Sequence, residues 1–482
     1  VLINIGKIMS RKYIKYIAFF LLLFLGVHSD IIAQDSVSTA VADTTIAVQA
    51  AAATTPAVAA QGVATLDSGN TAWIIVATIL VLMMTIPGLA LFYGGLVRKK
   101  NILSILMQCL ILTGAISIIW IAFGYSWVFD TSFKASGNPL SFVIGGFDKI
   151  FLHGISTKAL TTGNIPELIF ALYQCMFAVI TPALIIGAFA ERIKFSGFLV
   201  FSILWSIIVY NPMAHWVWGG GWLQQMGALD FAGGTVVHIN AGISALVMAV
   251  MLGCRKGYKA NEHTLTPNST PFVFIGTALL WLGWMGFNAG SGLAADGIAA
   301  NAFLVTHMAA CVSAVAWMAL EWFLYKKPTT IGFCTGAVAG LVAITPAAGT
   351  VDVAGAIFIG LATAVICFCM VAYAKPKFKY DDTLDAFGVH GIGGIIGSLL
   401  TGVFATRVIT GESGAQGALY GDWHQLWVQI VATLAAIIYS AVLTIVLFYI
   451  VNKTIGLRVS KQAESDGLDI SQHGEIAYSE NE

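Results

Sequence analysis

Charge is what this sequence has least of. Asp, Glu, Lys and Arg make up 10% of the 482 residues, with 24 of each sign, so the formal net charge is zero. A soluble domain carries about a quarter of its residues as charges, and a chain this poor in them cannot cover a surface facing water. No surplus of either sign points to nucleic acid as a partner. Cysteine is sparse as well: the seven thiols (Cys109, Cys175, Cys254, Cys311, Cys334, Cys367, Cys369) lie in apolar runs or at their ends, without metal-ligand spacing or a disulfide framework. They read as small buried hydrophobes. Aromatic residues are missing altogether from 34–70, a stretch rich in Ala, Thr, Val and Ser that reads as a flexible extracytoplasmic lead.

Apolar residues are present in quantity, at 58% of the chain, together with 50 glycines. Met9 reads as the start of translation; Arg11, Lys12 and Lys15 precede the apolar run 17–27, and Ala33 follows. That order describes a secretory signal over 1–33, with an apolar run too short to span a bilayer. Runs long enough to cross a membrane are predicted at 71–95, 102–124, 166–189, 197–213, 233–253, 271–289, 299–323, 331–347, 353–374, 386–405 and 426–451. The expected fold is thus an all-α integral membrane protein of about eleven transmembrane helices. It divides into a membrane domain at 71–452 and a polar tail at 453–482.

Basic residues collect after the odd-numbered runs: Arg98, Lys99, Lys100, then Arg192 and Lys194, Arg255, Lys256 and Lys259, Lys326 and Lys327, and Lys375, Lys377 and Lys379. By the positive-inside rule the odd helices run inward, the N-terminus lies outside and the tail is cytoplasmic.

The fifth and tenth runs share a pattern. Asp230 stands eight residues before His238, Asp382 stands eight before His390, and both stretches are glycine-rich. Two repeats of five helices must be inverted relative to each other, and inverted repeats place sites near the membrane midplane. Eight residues of helix rise about 12 Å, close to half of a hydrocarbon core of roughly 30 Å, so both histidines should arrive near mid-depth. An ionisable residue there is a functional candidate. Metal binding is the weaker reading, because neither helix adds a Cys or carboxylate at that depth.

Several blocks carry a resemblance to the ammonium transporter family, the Amt/Mep/Rh superfamily, in its bacterial Amt form. They are G-A-F-A-E-R-I at 187–193, A-H-W-V-W-G-G-G at 214–221, D-F-A-G-G-T-V-V-H-I-N at 230–240, G-W-M-G-F-N-A-G-S at 283–291 and D-A-F-G-V-H-G at 385–391. The tail adds G-L-R-V-S at 456–460, G-L-D at 467–469 and H-G-E at 473–475. The resemblance implies a homotrimer in the inner (plasma) membrane with one pore per chain, no cofactor and no catalysis. It further implies an ammonium recruitment site of Phe177, Trp218 and Ser291, a gate of stacked Phe177 and Phe287, and a pore carrying the twin histidines His238 and His390. Trp284 lies beside that pore and Asp230 near the outer mouth. A PII-type nitrogen-signalling protein is the implied partner at the cytoplasmic face.

Those residue types suit the task. Aromatic faces attract a desolvated cation by about 0.5–2 kcal/mol, and a serine hydroxyl accepts one of ammonium's N–H groups. A bare alkali ion in an apolar pore costs several kcal/mol, whereas ammonium can shed a proton and continue as ammonia. Taken singly, Phe177 and Phe287 read as core, Trp218 as an interfacial anchor in a Trp-rich loop, Ser291 as a cap, and Asp230 as an N-cap rather than a cation ligand. Other readings are a sensor signalling through its tail, an electroneutral ammonia channel and, least favoured, a membrane enzyme. The 34–70 lead and the 129–165 loop depart from the minimal family pattern.

Overall fold

In the computed structural model, residues 65–258 and 266–478 are described. The expected signal segment at 1–33, most of the 34–70 lead and Lys259 fall outside them. The described chain is overwhelmingly helical. Ten helices are long and apolar enough to cross a membrane: α1 (Ser68–Leu96), α2 (Lys99–Ala135), α3 (Glu167–Phe189), α4 (Phe195–Gln225), α5 (Gly234–Leu252), α6 (Thr270–Gly292), α7 (Gly297–Tyr325), α9 (Val353–Phe378), α10 (Phe387–Phe404) and α11 (Trp423–Thr454). Between α7 and α9 lies the shorter apolar helix α8 (Thr330–Ile344). Each of the eleven apolar runs in the sequence therefore corresponds to one helix.

Their bounds and interiors differ from the sequence expectation where polar chemistry intervenes. Helix α1 starts at Ser68 instead of 71, because the Asp67 carboxylate accepts the Asn70 N–H at 2.8 Å and caps the first turn. It is also interrupted at Ile86, whose backbone is extended (φ −132°, ψ 112°) ahead of Pro87. Proline lacks the helical N–H and disfavours the α conformation in the residue before it. Helix α4 continues past 213, and Trp218 ends its Asn211–Trp218 stretch rather than lying in a loop, before a last short turn at Trp222–Gln225.

Helices α1 and α6 pack together, as do the start of α10 and the body of α5, while α11 lies along both α5 and α10. Hydroxyls and amides hold these apolar surfaces in register: Ser440 donates to Asn240 Oδ1 at 2.6 Å, and the Trp205 indole donates to Ser244 Oγ at 2.9 Å. Such contacts matter where helices gain nothing by hiding from lipid. The 129–165 loop is built from short turns and a two-stranded pairing of β1 (Leu160–Thr161) with β2 (Ile165–Pro166).

At one end of the bundle the loops are cross-braced by ions. Glu191 receives Arg98 (2.8 Å) and Arg255 (3.1 Å), and Asp381 receives Arg255 at 2.8 Å. The tail folds over the same face. Arg458 donates to the carbonyls of Leu252 (2.7 Å) and Cys254 (2.6 Å), the Glu464 carboxylate accepts the Lys256 N–H, and the Asp469 carboxylate accepts the Ser104 N–H at 2.8 Å. The basic residues after α1, α3 and α5 thus share one face, the tail face.

Candidate functional site

The site begins with two acids. Asp230 precedes α5, and its carboxylate accepts the N–H groups of Gly233 (2.9 Å), Gly234 (2.5 Å), Thr235 (2.8 Å) and Val236 (3.0 Å). Asp382 precedes α10 and accepts those of Ala386 (3.1 Å) and Phe387 (2.8 Å). Each acid thus takes up donors that a helix start leaves without partners. Burial pushes the Asp230 carboxyl up to about 6, against the pull of its four N–H donors.

Each capped helix carries its histidine to the centre. His238 and His390 face each other with Nδ1 atoms 3.3 Å apart and ring planes 14° from parallel. Both are buried. A hydrogen bond forms at that distance when one Nδ1 carries a proton and the other does not, so one ring can donate and the other accept. The His238 Nε2 is buried without a partner among the described residues. Trp284 stacks on His238 at 5.3 Å and is itself fixed by an indole N–H bond to Thr345 Oγ1 at 2.9 Å.

Above the pair, towards the face opposite the tail, Phe177 and Phe287 stack at 4.3 Å. The Trp218 ring stands edge-on to Phe177 at 5.8 Å, and its N–H donates to the Asp230 carbonyl at 2.8 Å. Asp230 therefore holds the α5 start and the backbone that orients Trp218. Ser291 Oγ lies 2.8 Å from the Phe287 carbonyl and 3.3 Å from the Tyr173 hydroxyl. Tyr173 was not singled out from the sequence, where one more aromatic on an apolar helix reads as core. Its place four residues before Phe177, on the same helix face, was the signal.

Three cavities lie in line. A vestibule of about 470 Å³ is lined by Phe177, Trp218 and Ser291, with residues of the 129–165 loop. A constriction of about 10 Å³ is walled by Phe287, Trp284, His238, His390 and aliphatic side chains. A cavity of about 210 Å³ follows between His390 and the tail face. The constriction has room for about one water-sized molecule, so no hydrated ion fits.

The sequence matches the Ammonium Transporter Family over residues 72–478. The chain belongs to that family. It is 50% identical to the ammonium transporter of Aquifex aeolicus, over 86% of this chain and 94% of that protein. It is 46% identical to the ammonium transporter of Bacillus subtilis, over 86% of this chain and all of that one. Among solved structures, Mep2 of Saccharomyces cerevisiae superimposes with a TM-score of 0.76 at 36% identity, covering 82% of this chain and 88% of Mep2. A protein described as a sensor Amt protein does so with the same TM-score at 29% identity, covering 84% and 98%. Residues 129–165 contribute Lys149 and the β1 edge to the vestibule of this ammonium transporter family member.

Proposed function

We propose that this protein is a selective ammonium transporter. Ammonium is recruited in the vestibule by the faces of Phe177 and Trp218 and the Ser291 hydroxyl, with Tyr173 positioning Ser291. It gives up a proton at or below the Phe177–Phe287 stack and passes the histidines as ammonia. The single observation that carries this reading is the His238–His390 pair, joined through Nδ1 at 3.3 Å inside a constriction of about 10 Å³. Sodium and potassium have no proton to leave behind, and the unrelieved cost of burying them excludes them. The donor–acceptor sense of the histidine pair is reversible, so a proton can move along it as the molecules pass.

In this reading the Trp218 face is extracytoplasmic and the tail face cytoplasmic, in the inner (plasma) membrane. The protein is a homotrimer with one pore per chain, and a PII-type regulator would meet the tail face. The test is the current evoked by an ammonium jump in proteoliposomes, with potassium as the control ion, for wild type, His238→Ala and His390→Ala. An ammonium-specific current that disappears or loses selectivity in both variants supports an electrogenic path through the pair. Internal alkalinisation without current would replace it with an electroneutral ammonia channel. A second reading, a sensor, is favoured by the likeness to the sensor Amt protein and by the docked tail; ammonium binding without either signal would put it first.

A further inference from the structure

The vestibule contains an ion pair that the transport path described above does not use. Lys149, in the 129–165 loop, is anchored by its backbone N–H to Ser126 Oγ at 3.1 Å. Its ammonium group pairs with Glu167 Oε1. The Tyr125 hydroxyl donates to the same carboxylate oxygen at 2.7 Å, and the Tyr125 ring lies 5.9 Å from the Lys149 nitrogen. All three residues line the cavity that Phe177, Trp218 and Ser291 line. The pair is not sealed away: the Lys149 side chain is 28% exposed and that of Glu167 13%.

We propose that Glu167 and Tyr125 form a further subsite for small monovalent cations in the vestibule, filled here by the Lys149 ammonium group, and that Lys149 sets how strongly the vestibule gathers cations. The proposal rests on the ammonium-transport reading. A primary ammonium is the side-chain group closest in chemistry to ammonium itself, with the same charge and N–H donors of the same kind. The carboxylate and the aromatic face that hold it would hold the free ion by the same forces. They would also hold potassium, because a carboxylate is a general cation ligand. The Ser291 site has no anionic oxygen and escapes that weakness. Lys149, tethered at a high effective concentration, keeps the carboxylate neutralised, so the vestibule gives up affinity and stays free of competing ions.

The test measures half-saturation of the ammonium current, with and without potassium, in wild type, Lys149→Met, Glu167→Gln and the double variant. Lys149→Met exposes the carboxylate: half-saturation should fall by roughly three- to tenfold at low ionic strength, and potassium should become a competitor. Glu167→Gln leaves an unpaired cation, and half-saturation should rise by a similar factor. The double variant should lie between them. A mere brace of the loop predicts that both single variants shift in the same direction; that result, or no shift in either, overturns the proposal. If Lys149→Met does not fold, Lys149→Arg and Lys149→Gln decide it, Arg keeping the wild-type value and Gln moving as Met should. Absence of both wild-type current and internal alkalinisation would overturn the transport reading itself, whereas wild-type current with unresponsive variants overturns the subsite alone.

Discussion

Gly242 and Gly394 occupy matching places around the histidine pair: each follows one histidine of the pair by four residues, and each lies against the backbone of the opposite histidine helix. A Cβ on Gly242 would stand 2.1 Å from the Gly391 nitrogen, and one on Gly394 would stand 3.0 Å from the Ile239 nitrogen. Gly391 directly follows His390 and Ile239 directly follows His238, so the contact repeats with the two helices exchanged, as an inverted repeat requires. Backbone atoms cannot swing aside as a side chain can. Gly242→Ala should therefore separate the helices, at a cost of about 1–3 kcal/mol or more, and abolish transport. Gly394→Ala should be milder in both. Melting temperature and ammonium flux check this; wild-type flux in Gly242→Ala would show that the close crossing is dispensable.

Trp218→Leu should raise half-saturation for ammonium by roughly two- to thirtyfold, the range spanned by a cation–π contact of about 0.5–2 kcal/mol. Ser291→Ala should raise it too, and Tyr173→Phe should raise it less, because Tyr173 acts through Ser291. The maximal rate should change little in Tyr173→Phe. Flux titrations separate the two parameters, and a Tyr173→Phe effect on maximal rate alone would contradict the assignment.

Asp230→Ala strands the four buried N–H donors that its carboxylate accepts. Buried donors without partners cost about 1–3 kcal/mol each before relaxation, so a loss of about 2–5 kcal/mol is expected, accompanied by weaker recruitment as Trp218 loses its support. Asp230→Asn keeps one acceptor oxygen and should fall between. Thermal unfolding in detergent supplies the measurement, and an unchanged melting temperature for Asp230→Ala would contradict the capping role.

The helices were legible because each is an apolar run of the right length, and the histidine pair because two acids and two histidines repeat at one spacing. The break at Ile86 was announced by Pro87 and overlooked, since hydropathy does not fall there. Tyr173 and the two glycines escaped for another reason: on apolar helices a tyrosine or a glycine has many ordinary uses, and only the contact with Ser291 distinguishes the one and the crossing of α5 with α10 the others. The Glu191–Arg255–Asp381 bridge joins residues 64 and 126 positions apart, a pairing that no local pattern encodes. Arg192 and Arg255, which mark orientation in the sequence, prove to be buried and bonded within the fold.

That bridge should respond to acid. Burial works against the charge on Glu191, but Arg255 and Arg98 outweigh it and hold the carboxyl below its ordinary 4.5. Asp381 likewise lies below 3.8, its burial outweighed by Arg255 and Arg192. A depressed carboxylate contributes stability above its unfolded value and loses it as pH falls through the folded one. Glu191→Gln should therefore cost about 3–5 kcal/mol at pH 7, leaving the buried Arg255 and the half-buried Arg98 short of a partner, and the gap to wild type should narrow once pH drops below 4.5. Melting temperatures at both pH values test this; a constant gap would contradict it.

The docked tail has a bearing on how the protein is made. Arg458, Glu464 and Asp469 fasten loops that leave the ribosome hundreds of residues earlier, near Ser104 and Leu252. Those loops must wait, inserted but unlatched, until α11 has been threaded and the tail translated. A nascent chain that stalls or is cut short at α11 keeps its spanning helices yet lacks the latch. The latch is thus the last part of the fold that can close, and it joins the final thirty residues to loops made far earlier in the chain.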